Sequence, residues 1–165
     1  MRITSLEDLG RYDCVYVGPQ ATDVLLSCRG RIGSDAARGL KMLLLPIFAT
    51  STEDRPAPSS ATLARLNVDV YQCGLPSARE RSEAYRSASA RAFGQDPLDE
   101  PYLDRVARIL DDVGRRSQAR HVYFPLGVGG QVDHRLAHEA CLRVFGPKAE
   151  RDVLLYEDRP AAFVP

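Results

Sequence analysis

Two polar loops and one helix hold the residues whose types could do chemistry. The first loop, Gly18-Pro19-Gln20-Ala21-Thr22-Asp23, ends in a carboxylate, and the second, Leu126 to His134, is glycine-rich and ends in Asp133-His134. An imidazole titrates near neutral pH, so His134 can give or take a proton or anchor a ligand. His134 and His138 are four apart on one predicted helix and can share a face, with Glu139 beside them. No glutamate follows His134 directly as in a zincin helix, and His138 reads better as a surface or interface residue. His121 opens a strand and reads as a packing residue. Leu126 to Gly130 follows a strand, as a phosphate-cradling loop does, but lacks the Gly-Lys-Ser/Thr ending. It reads as a loop that lets backbone approach a small ligand. Arg79, Arg81, Arg86 and Arg91, set among glutamates and serines, read as solvated helix faces. No Ser-His-Asp arrangement or reactive cysteine motif is present.

These loops need a scaffold, and the hydrophobic pattern supplies one. Cys14 to Val17 reads as a buried strand ended by Gly18-Pro19, and Asp23 to Ile32 as a helix with Val24, Leu25, Cys28 and Ile32 on one side. Met42 to Phe48 is a second strand, with Pro46 marking a bulge or an early end. Residues 52–60 form a loop, Ala61 to Leu66 a short helix and Val68 to Cys73 a third strand. Ser77 to Phe93 and Pro101 to Arg116 are predicted helices, the second with Leu103, Val106, Ala107, Leu110 and Val113 on one buried face. His121 to Phe124, Asp133 to Phe145 and Val153 to Tyr156 then give strand, helix, strand. Alternation of this kind predicts crossover units and a Rossmann-like three-layer α/β sandwich with a mostly parallel sheet. Functional groups in such sheets gather beyond the carboxyl ends of the strands, where both polar loops fall.

A chain of 165 residues is one domain's worth. Its 22 basic and 22 acidic side chains cancel, so no global field points to nucleic acid or an anionic membrane. The longest apolar stretch, Met42 to Ala49, is too short to span a bilayer. The mixed, charged start is unlike a secretory leader, and four scattered cysteines without a CxxC pair fit a reduced cytoplasm.

The segment Tyr123-Phe124-Pro125-Leu126-Gly127-Val128-Gly129-Gly130-Gln131-Val132-Asp133-His134-Arg135-Leu136 resembles the strand–loop–helix of the LmbE-like (PIG-L) N-deacetylases, whose loop usually ends in His-x-Asp-His. Leu155-Tyr156-Glu157-Asp158-Arg159-Pro160 resembles that family's Tyr-Glu-Asp-x-Pro strand end. Gly74-Leu75-Pro76 resembles its Gly-Leu-Pro-Asp, with Ser77 where the aspartate is common. Gly18 to Asp23 then falls where the family has Pro-His-Pro-Asp-Asp. Four matches in order span nearly the whole chain and imply a single domain over residues 1–165 with the LmbE-like deacetylase fold.

The resemblance also implies a zinc hydrolase site with three ligands and an open position for water. Asp23 and His134 retain two ligand positions. Gln20 stands in place of the third, a histidine. Thr22 stands where a carboxylate acts as base, and its hydroxyl cannot take a proton at neutral pH. Gln131 stands where a histidine would stabilise the oxyanion. Asp133 remains, in a position that orients a histidine in the family. An Asp–His pair with one amide holds a divalent ion loosely at best, so no stoichiometric zinc and no other cofactor is expected. A shifted site built from Asp23, His134 and His138 is the weaker alternative.

The resulting expectation is a diverged member in bacterial specialised metabolism, acting on a small polar substrate without the usual zinc-dependent deacetylation. Asp23, His134 and Asp133 form its polar centre, with Gln20, Thr22, Gln131, Gly129 and Gly130 contacting the substrate. The alternatives are a non-catalytic subunit that assists a partner enzyme and an amide hydrolase with a shifted or partner-completed metal site. Family members usually continue beyond the Tyr-Glu-Asp-x-Pro strand, so a shortened C-terminus predicts a homo-oligomer or a partner subunit.

Overall fold

The structure, a computed structural model, describes residues 1–49, 60–146 and 151–158. In chain order its elements are β1 (Arg2–Ile3), β2 (Cys14–Gly18), α1 (Ala21–Ala37), β3 (Met42–Pro46), β4 (Phe48–Ala49), α2 (Ser60–Arg65), β5 (Val68–Tyr71), β6 (Leu75–Pro76), α3 (Ala78–Arg81), α4 (Ala88–Phe93), α5 (Asp99–Ser117), β7 (His121–Pro125), α6 (Val132–Phe145) and β8 (Asp152–Tyr156). Six strands make one parallel sheet in the order β1-β5-β3-β2-β7-β8, and β4 pairs with β6 in a separate two-stranded sheet. The predicted α/β class and parallel sheet are therefore observed.

Every residue of β2 and β3 is buried, as expected of central strands covered on both faces. Their alternation sorts side chains into two cores. Val15, Val17, Leu43, Leu45, Val122 and Phe124 pack against the apolar faces of α5 and α6. Tyr16, Met42, Leu44 and Tyr123 pack on the other side against α1 and α2 through Val24, Cys28, Ile32 and Leu63. The two faces give the three layers. On the α1 side, Tyr16 and Tyr123 stack at 4.4 Å, and the Tyr16 hydroxyl donates to fully buried Asp35 at 2.6 Å. This polar cluster fastens the back of α1 to the sheet.

Two expectations need correction, and one alternative is settled. Ser77 to Phe93 is not one helix: it breaks into α3, a 3-10 turn at Glu83–Tyr85 and α4. The hydroxyls of Ser82 and Ser87 accept from the amides of Ala84 and Ala90, restarting the chain twice. Within Met42 to Phe48, β3 stops at Pro46, the early end that this proline predicts, and β4 begins at Phe48. The Ile47 and Phe48 amides then bond to the carbonyls of Gly18 and Pro19, at 3.0 and 2.9 Å. Arg81 is not on a solvated face, since only 1% of its side chain is exposed. The predicted loop at 52–60 falls mostly outside the described residues. No helix among the described residues is long and apolar enough to cross a membrane.

Candidate functional site

Strands are laid down from β2 toward β3 and β5 on one side, and toward β7 and β8 on the other. The direction reverses between β2 and β7, which opens a crevice at their carboxyl ends. The loops entering α1 and α6 flank that crevice. Asp23 and His134 are each the third residue of their helix. Asp23 also suits the positive end of the α1 dipole.

Asp23 and His134 are only 4% and 6% exposed. His134 Nε2 lies 3.8 Å from Asp23 Oδ2, and its Nδ1 lies 3.3 Å from Asp158 Oδ1. Asp158 is fully buried and its Oδ2 accepts the Gly127 N–H at 2.9 Å. One imidazole thus stands between two buried carboxylates, one from each side of the crevice. Burial disfavours the charged imidazole, but the close Asp158 carboxylate and the charges of Asp23 and Asp133 outweigh it, raising the His134 pKa. The Cys28 thiol is pushed up to about 12 by burial and then by the Asp158 charge, which removes it as a nucleophile.

Asp158 is the site residue that motif reading placed in a family pattern without assigning it a role. It sits two residues past β8, and the β7–β8 register, with Pro125 opposite Tyr156, brings it beside the second loop. Tyr156 reinforces that alignment: its hydroxyl donates to the Val17 carbonyl at 2.8 Å, reaching across β7 to β2. Gly18 makes room for it. A Cβ there would come within 2.7 Å of the Tyr156 hydroxyl and 2.3 Å of Val24.

The other predicted residues divide. Gln20 caps α1 in an extended conformation, its side chain making no capping bond. The Thr22 hydroxyl is buried without a partner among the described residues. Gln131 is exposed at the start of α6, and Gly129 and Gly130 hold left-handed conformations in the second loop. Asp133 faces a different task from the one expected. It accepts the Ala78 N–H at 2.9 Å and the Arg81 guanidinium at 3.0 Å. Arg81 in turn lies over the Tyr102 ring and 3.5 Å from Asp99. Burial raises the Asp133 pKa against the pull of Ala78 and Arg81. Asp133 therefore ties α3 to α6.

His138 turns its Nδ1 to the Pro125 carbonyl at 2.8 Å. His121 pairs with Asp152 at the far, amino end of the sheet. Neither joins Asp23 and His134, and no cluster of three His, Cys, Asp or Glu that could hold a metal occurs among the described residues. Asp23 and His134 are close enough to share an ion, but the remaining donor nearby in sequence is the Gln20 amide. That set fits zinc poorly.

The chain is a parallel-sheet α/β protein with an Asp–His–Asp cluster at its switch point, and solved structures specify the fold. The chain superimposes on the deacetylase of the teicoplanin biosynthesis pathway with a TM-score of 0.71 at 20% identity, over 90% of this chain and 68% of that one. A zinc-inhibited form of teicoplanin deacetylase gives 0.67 at 20% identity, over 90% and 68%. The A40926 pseudoaglycone deacetylase gives 0.68 at 15%, over 94% and 67%. In sequence, the chain is 29% identical to the 2'-N-acetylparomamine deacetylase of Streptomyces fradiae over 96% of its own length. It spans 61% of that relative. No protein-family model matches the chain. The chain is accordingly related to the LmbE-like deacetylases and has their fold.

Proposed function

We propose that this protein serves bacterial specialised metabolism, acting on a small polar substrate through an LmbE-like crevice that works without the usual zinc-dependent deacetylation. The names of its relatives, which concern paromamine, teicoplanin and A40926, support the setting. The observation that carries the chemistry is His134 held between Asp23 and Asp158. Two buried carboxylates favour a positive charge beside them, and they raise the pKa of the imidazole that stands there. A substrate oxygen entering between α1 and α6 would meet a proton donor at His134 and the positive ends of two helices.

The metal content and turnover of the purified protein test this reading. Zinc well below one equivalent is expected, with substrate binding or turnover that survives a chelator and is lost in His134→Ala. Near-stoichiometric zinc that disappears in His134→Ala, together with chelator-sensitive hydrolysis of an N-acetylated aminosugar, would instead establish the metal hydrolase. Thr22 in place of a base also supports a second reading, a non-catalytic subunit. Turnover by the isolated chain that vanishes in Asp23→Ala counts against it. The exposed Leu154 and Leu155 of β8 support a homo-oligomer or a complex with a partner subunit, and a monomer in light scattering at micromolar concentration counts against that.

A further inference from the structure

A second concavity lies along the same rim of the sheet, away from His134. The carboxyl ends of β1, β3 and β5 enclose a cavity of about 290 Å³. Ala21, Pro46, Leu63 and Val70 give it apolar walls, and Arg2, Thr4 and Gln72 supply polar groups.

The strand register explains why these residues meet. Arg2 lies opposite Val70, and Val70 opposite Leu44. Because side chains alternate along a strand, Arg2 shares a face with Leu44, which belongs to the core under α1 and α2. Thr4 and Gln72 follow two residues further on, along the same rim. The helix above is α2, whose six residues span only about 9 Å. It packs against β5, and among the described residues the only other helix to line the cavity is α1, through Ala21.

The polar groups are uncommitted. The side chains of Arg2, Thr4 and Gln72 make no hydrogen bond or ion pair with any described residue, and none of them has a further partner. Among the described residues no carboxylate lines the cavity, and the Arg2 guanidinium is the one charge they contribute. A planar fork of donors matches a carboxylate in shape as well as charge. The volume stands at the lower end of small-molecule sites, about 300 Å³, which suits a short-chain or simple aromatic acid.

We propose that this cavity binds a small organic carboxylate with an apolar body. Arg2 holds the carboxylate, Thr4 and Gln72 complete its hydrogen bonds, and the hydrocarbon lies against Ala21, Leu63 and Val70. Ala21 opens α1 two residues before Asp23, so the ligand would sit behind the first loop of the crevice. The site does not depend on any chemistry at His134.

Titration of the full chain with hexanoate, hexanol and hexylamine, followed by amide NMR shifts, tests the assignment. Hexanoate is expected to saturate shifts at residues 2–4, 21, 63 and 70–72. Hexanol should bind about tenfold more weakly or worse, the loss of one charge-assisted hydrogen bond, and hexylamine should not bind. Arg2→Gln, an exposed change that spares the core, should weaken hexanoate by a similar factor and leave hexanol unchanged. Leu63→Trp, which fills the cavity, should abolish both, and His134→Ala should affect neither. Shifts mapping elsewhere, equal affinity for hexanoate and hexanol, or hexanoate binding indifferent to Arg2→Gln would each overturn the proposal.

Discussion

Replacing Asp158 with alanine separates the two jobs of one buried carboxylate. Its Oδ2 accepts the Gly127 amide at 2.9 Å, and its Oδ1 faces the His134 imidazole at 3.3 Å. Losing the first leaves a buried N–H unpaired, at a cost of about 1–3 kcal/mol. Breaking a buried charge pair costs about 3–5 kcal/mol, so with the amide the variant should lose about 4–8 kcal/mol in total near pH 6. The pH dependence identifies the imidazole's share. His134 has a folded-state pKa raised above its ordinary value, so its stabilisation is complete below about 6.5 and is lost as pH climbs through the folded value. The penalty should therefore shrink toward the amide's share, about 1–3 kcal/mol, as pH rises past the folded value. Urea unfolding of the wild type, Asp158→Ala, His134→Leu and the double variant at pH 6 and pH 9 measures both parts. A coupling of at least about 1 kcal/mol is expected at pH 6, smaller at pH 9. A penalty equal at both pH values, or single-variant effects that simply add, would refute the Asp158–His134 pairing.

Two further changes probe the scaffold behind the site. Asp133→Ala should destabilise the fold by about 2–4 kcal/mol, because Ala78 N–H and the buried Arg81 both lose their acceptor. Pairing it with Arg81→Met should recover part of the loss in thermal unfolding, and no recovery would argue against the ion pair. Gly18→Ala should cost about 1–3 kcal/mol from overpacking against Val24 and the Tyr156 hydroxyl. In a Tyr156→Phe background the same substitution should cost less, as read by chemical denaturation. An equal cost would mean that the Val24 contact carries it all.

The fold was legible where periodicity was strong. The uninterrupted apolar runs of β2 and β3 and the five-residue stripe on α5 each announce their element and its buried face. Failures follow non-local causes. β1 has two residues, too few for any pattern, and exists because β5 offers it an edge. Pro46 signals that β3 ends early, but where the chain goes next is set by the carbonyls of Gly18 and Pro19, nearly thirty residues earlier. Within the site, Asp23 and His134 stood out because carboxylate and imidazole end polar loops beyond strands. Asp158 was in view as part of a motif, yet its contact with His134 needs the register of β8 on β7, which spacing does not reveal. Asp133 looked like part of the same centre, but its carboxylate is committed to Ala78 and Arg81, partners more than fifty residues away.

The bond from Tyr156 to Val17 has a kinetic consequence. It joins residues 139 apart in sequence, and Asp158 meets His134 only when β8 has docked. Contacts of such separation are slow to form, since the loop-closure cost precedes their reward. A chain leaving the ribosome can assemble β2, β3, β5 and β7 and their helices while His134 still lacks its second carboxylate. The second carboxylate beside His134, which helps to raise its pKa, therefore arrives only when β8 docks, so the rise in that pKa reports the docking of β8.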